Sequence, residues 1–211
     1  MSDGFGGELA QVGGTLVTMA RAARESMRQA SAALLSSDHA LAQQVTERDA
    51  EIDVLSRVLE DRVYELVARQ PDGRNVTKLM TAIRVAAHLE RMGDLAVHVA
   101  RAALRRHPGP AVVPELAELF SAMSAVADDL AGKIVSALTD HDAVLAAQLD
   151  ADDDVMDELH RRLFGVMLSQ EWPMGVEGAI DGALLGRFYE RYADQAVNVG
   201  RHVASLVTDP A

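Results

Sequence analysis

The strongest constraint on how this chain can fold is that it carries nearly the same stretch twice. ERMGDLAVHV at 90–99 recurs as ERYADQAVNV at 190–199, with identities at Glu90/Glu190, Arg91/Arg191, Asp94/Asp194, Ala96/Ala196, Val97/Val197 and Val99/Val199. A second pair of blocks lies upstream. There Asp38, Leu41, Ala42, Gln44, Asp49, Asp53 and Leu55 match Asp142, Leu145, Ala146, Gln148, Asp153, Asp157 and Leu159. Two blocks repeated in the same order mean one supersecondary unit used twice. The Pro-rich segment around 107–114 joins the copies, giving a first unit at 1–107 and a second at 108–211.

Each unit reads as three helices. Ile52, Leu55, Leu59, Val63 and Leu66 step by three and four, as do Met156, Leu159, Leu163 and Met167, which places each set on one helical face. No strand-like alternation stands out. Pro71, Pro108, Pro110, Pro114 and Pro173 punctuate the patterns. The periodicity and breakers predict helices at about 7–36, 38–69, 75–106, 114–139, 142–170 and 176–207. Ser37-Asp38 and Thr139-Asp140 are expected to cap the turns between the first and second helix of each unit. The fold class is therefore all-α, six helices in two tandem antiparallel three-helix bundles. Aromatic residues are only 4% of the chain, so the core must be built from Ala, Val, Leu and Met. Trp172-Pro173, at a helix junction, is expected to pack as a plug, an exposed contact point being the other reading.

Several function classes fall away. A formal charge of −12 opposes broad binding to nucleic-acid phosphates. The absence of cysteine removes disulfides, thiolate metal sites and cysteine nucleophiles, and fits a cytoplasmic location. The glycine-rich start lacks the apolar stretch of a secretory signal, and no run is long enough to span a bilayer. There is no Gly-x-Ser-x-Gly and no glycine-rich phosphate loop, so a hydrolase or nucleotide enzyme is not expected.

What remains is a set of carboxylates. Each unit has two acidic pairs at i, i+4: Asp49/Asp53 with Glu90/Asp94, then Asp153/Asp157 with Glu190/Asp194. Residues four apart share a helix face, so each pair can turn toward one cation. On the last helix Leu185, Phe188, Tyr192, Val199, Val203 and Leu206 form an apolar arc, and Leu89, Met92, Leu95 and Val99 do so on the third. The acids lie opposite those arcs, which predicts an outer, solvent-facing position. Like charges at this spacing repel, so an offsetting cation is expected. Two sources stay open. Arginine can supply the charge, since Arg91/Asp94, Arg187/Glu190 and Arg191/Asp194 sit at i, i+3. Alternatively a hard or borderline metal such as Mg, Mn, Fe or Zn is held by the acids. His98 and Asn198, matched positions after Asp94 and Asp194, could add a ligand or face solvent. The acidic run Asp150, Asp152, Asp153, Asp154, Asp157 and Glu158 is mostly a solvated helix start. Within it, only Asp153 and Asp157 have matched partners.

The two stretches ERMGDLAVHVA and ERYADQAVNVG resemble the PhoU family, whose members have two three-helix repeats, each with a Glu/Asp-x-x-x-Asp motif. The resemblance runs over nearly the whole chain, and TAIRVAAHLERMGDLAVHVARAALRRHPG is similar to actinobacterial members. It implies a negative regulator of phosphate uptake and phosphate-starvation signalling. Such a protein connects the phosphate transporter's ATPase subunit to a sensor histidine kinase, meets the membrane only through these partners, and forms a homodimer. It further implies metal ligands at Asp49, Asp53, Glu90, Asp94, Asp153, Asp157, Glu190 and Asp194. The chain departs from the family pattern at His98, where many members have Asn, at Gln195, where related chains often have His, and in its MSDGFGGEL opening. A carboxylate-bridged metalloenzyme is the rival class, but such bundles use a core-facing Glu-x-x-His, which this sequence lacks.

Overall fold

The structure is a computed structural model that describes residues 2–69 and 72–208, with side chains at 5–69, 72–73 and 75–205. Its helices are α1 (Ser2–Ser36), α2 (His39–Glu47), α3 (Ala50–Ala68), α4 (Gly73–Arg106), α5 (Pro114–Asp140), α6 (Ala143–Asp152), α7 (Asp154–Met167) and α8 (Gly175–Thr208). Among the described residues there is no strand. The all-helical, two-copy architecture is the one the repeat predicts. Pro71 and the Leu206 side chain, used in that reading, lie outside the described residues.

The boundaries differ from expectation in one informative way. The second helix of each unit is not continuous. It breaks at Arg48-Asp49 between α2 and α3, and at Asp153 between α6 and α7. Aspartate is a weak helix former, and its carboxylate is stabilised by the positive end of a following helix. The first acid of each matched pair, Asp49 or Asp153, thus begins a new helix, so the sequence periodicity hid two breaks.

The turns before these helices are built alike. Ser37 and His141 both take a left-handed conformation, φ 56° and 54°, closing α1 and α5. Asp38 then accepts from the Leu41 amide, and Asp142 accepts from the Val144 and Leu145 amides. The second cap is therefore Asp142. Thr139-Asp140 instead form the last turn of α5, with the Thr139 hydroxyl donating to the Val135 carbonyl. Pro114 opens α5 at a position that needs no amide donor. Trp172 packs against the core and donates from Nε1 to the Gly175 carbonyl at 2.8 Å, closing the α7–α8 junction.

The four long helices α1, α4, α5 and α8 pack as the centre of the molecule. The broken pair α2/α3 lies on α1 and α4, and α6/α7 lies on α5 and α8. One apolar core runs through both copies, made mainly of Ala, Leu, Val and Met. Polar links cross between copies as well. Tyr189 and Ser31 share a buried hydrogen bond of 2.7 Å, and the buried Tyr192 hydroxyl donates to the Ala23 carbonyl. Arg24 of α1 forks onto Asp128 of α5 at 2.7 and 2.8 Å. Helices α4 and α8 run against each other, with His98 stacked on Phe188 and His88 Nδ1 2.8 Å from Gln195 Oε1.

Candidate functional site: two acidic seams

Each copy has an acidic seam where its broken helix crosses its long third helix. In the first, Asp49 sits in the α2–α3 break, Asp53 follows one turn later on α3, and Glu90 and Asp94 stand one turn apart on α4. In the second, Asp153 and Asp157 sit at the head of α7, facing Glu190 and Asp194 on α8. Small residues allow this close crossing. A Cβ at Gly93 would lie 2.7 Å from Ile52 Cδ1, and one at Gly200 would lie 2.6 Å from the Ala146 carbonyl oxygen.

The seams are less exposed than the apolar arcs predict. The Asp49 side chain is 35% exposed and that of Glu190 only 15%. The long helices are covered on more than one face, because α2/α3 and α6/α7 fold back over them. Asp157 and Asp194 remain exposed.

Electrostatics shows which acids act on one another. Burial first, then Asp157, Asp194, Glu190 and Asp154, push the Asp153 carboxyl up to about 6. Burial and Asp194 also raise Glu190, against the pull of Arg187 and His160. In the first seam, burial raises Asp49, with Asp94 and Asp53 adding and Arg101 and His98 opposing. Carboxyls held above their usual range by burial and then by one another are the mark of an under-neutralised cluster.

Arginine supplies part of the missing charge. Arg101 lies 3.6 Å from Asp49, Arg91 donates to Asp94 at 3.3 Å, and Arg187 donates to both oxygens of Glu190 at 2.6 and 2.5 Å. Among the described residues Arg191 forms no such pair with Asp194. The other two polar candidates are engaged elsewhere, although the charge of His98 is felt at Asp49. Asn198 donates back to the Asp194 carbonyl, and His98 is exposed against Phe188. Gln195 is taken up by His88.

Among the described residues no three carboxylate or imidazole groups already stand in a metal-ligating arrangement. The donor chemistry nonetheless suits a hard or borderline cation, best in the second seam. That seam holds four acids with an elevated carboxyl and, beside them, the buried and unpartnered Nε2 of His160. Two contributors escape a reading of the sequence. Arg101 is far from Asp49 along the chain. His160 has no matched acid or histidine, because its counterpart is Ser56, although the spacing Asp157-Glu-Leu-His160 is a usable signal.

Fold and site together define a duplicated all-helical protein with one acidic seam per repeat. The PhoU domain family model matches residues 16–103 and 120–203, once in each copy. The phosphate-specific transport system accessory protein PhoU homolog 2 of Mycobacterium tuberculosis is 40% identical over 95% of both chains. Homolog 1 of Mycobacterium leprae is 39% identical over 95% of this chain and 91% of that one. The crystal structure of PhoU from Pseudomonas aeruginosa superposes with a TM-score of 0.88 at 26% identity, covering 98% of this chain and all of that one. The chain belongs to the PhoU family.

Proposed function

We propose that this chain is a negative regulator of phosphate uptake and phosphate-starvation signalling. It acts in the cytoplasm as an adaptor between the ATPase subunit of a phosphate ABC transporter and a sensor histidine kinase, and works as a homodimer. The observation that carries this is family membership over nearly the whole chain with the acidic motif kept in both copies. Among the described residues no helix is long and apolar enough to cross a membrane, which suits contact with the membrane through partners.

The seams are the proposed functional elements. Asp49, Asp53, Glu90 and Asp94 form one, and Asp153, Asp157, Glu190 and Asp194 the other, each taking Fe, Zn, Mn or Mg. A bound cation would neutralise the repelling carboxylates and clamp the broken helix to the long one. The chain's own residues orient and hold charge, and the reading assigns no turnover of phosphoesters or nucleotides.

Deleting the gene tests this reading. Phosphate-scavenging genes should switch on in phosphate-rich medium, and the intact chain should restore repression. Normal repression in the deletion strain, with no paralogue to compensate, would sink the assignment. The Glu90→Gln/Asp94→Asn double variant should lose its first-seam metal, while metal at the second stays. Unchanged total stoichiometry by elemental analysis would refute the ligand assignment.

A further inference from the structure

The two seams are not equivalent. On α7, His160 follows Asp157 by three residues, and its ring meets Phe164 nearly at right angles and lies against α8 at Gly186. The ring centroids of His160 and Phe164 are 5.2 Å apart at 77°. On the other side, a Cβ at Gly186 would lie 3.2 Å from His160 Cδ2 and 3.6 Å from Nε2, so the bare backbone at Gly186 leaves the imidazole its place. Glu190 is the next residue on that face, one turn along α8, and it feels the charge of His160. Within this packing Nε2 is buried and has no hydrogen-bond partner. A buried ring nitrogen without a partner costs free energy, and such a group in a native structure calls for a missing partner. In the first copy the corresponding residues are Ser56 and Ala86, and Ser56 is buried. That seam has no imidazole in this place.

We propose that His160 gives the second seam a buried nitrogen ligand that the first lacks at the matched position, so that this seam selects an imidazole-favouring metal such as Zn²⁺. The inference rests on the seams being metal sites. Imidazole suits zinc, iron and nickel, whereas carboxylate-only sets suit magnesium and manganese. The duplicated protein then carries two cation sites of different chemistry.

The test uses the full chain, stripped with chelator and checked for helicity, in the Glu90→Gln/Asp94→Asn background so that only the second seam is read. Zn²⁺ and Mn²⁺ are titrated separately by calorimetry, into that parent and into His160→Ser and His160→Asn. The ring resonance of His160 is followed by NMR in the parent. The expected result is a Zn²⁺ affinity about 10-fold or more weaker in both variants, as for loss of a group supporting a metal site. Mn²⁺ affinity should move by less than about 3-fold, since carboxylates hold it, and the His160 signal should shift with Zn²⁺. A silent His160 signal with unchanged Zn²⁺ affinity overturns the inference and leaves the metal reading standing. A wild-type chain that binds neither ion overturns the metal reading, and the inference with it.

Discussion

Asp153 condenses the electrostatics of the molecule into one side chain. It is half-buried, faces three matched acids, and has its carboxyl raised from 3.8 to about 6. An acid whose folded-state value is raised destabilises the fold when ionised. Its penalty is full above pH about 6, shrinks as pH falls, and is gone below 3.8, where the group is protonated folded and unfolded alike. In chelator-treated protein, Asp153→Asn should therefore raise the melting temperature well above pH 6, and the gain should vanish below 3.8. A pH-independent gain would mean that something other than ionisation of this carboxyl sets the effect. At this scale the sequence is informative about the acids themselves, because a pair recurring in matched copies is visible as text. It is silent about Arg101 and His160. Each becomes part of a seam only when α3 meets α4 or α7 meets α8; Arg101 is matched by Arg201 but lies far from Asp49 along the chain, and His160 has Ser56 as its counterpart.

Among elements, the two copies are alike in plan and different in closeness. Asp38 and Asp142 cap matching helices, and Ser37 and His141 make matching left-handed turns. Yet Ala100 is buried in α4 where α8 has Gly200, whose Cβ would strike the α6 backbone at the Ala146 carbonyl. Helix α6 thus lies nearer to α8 than a side chain permits. Gly200→Ala should lower stability by about 1–3 kcal/mol, the usual cost of overpacking against something that cannot yield. Gly13→Ala is the contrasting case. It lies inside α1, and the methyl that alanine adds would meet nothing within 4 Å, so the change should add roughly 0.5–1 kcal/mol through backbone entropy alone. Thermal unfolding of the two variants decides it, and opposite signs are required. Helix existence is legible from the three-and-four spacing. The breaks at Arg48-Asp49 and Asp153 are not, since a short interruption leaves the apolar phase almost intact.

The whole molecule depends on burial between copies. Helices α1 and α5 pack together, α4 packs on α8, and one core serves both. Residues 1–107 and 108–211, expressed apart, should each expose that shared face and self-associate. Mixed, they should form a one-to-one complex with the helicity of the intact chain, checked by light scattering and circular dichroism. A half that stays monomeric and unfolds cooperatively would refute this. A single repeat with such a surface would need a second repeat to cover it, so the unit that folds is the pair. Carrying both repeats on one chain makes that neighbour permanent at high effective concentration. Halves held together in this way need not be the same sequence, and Ser56 can stand in one where the other has His160.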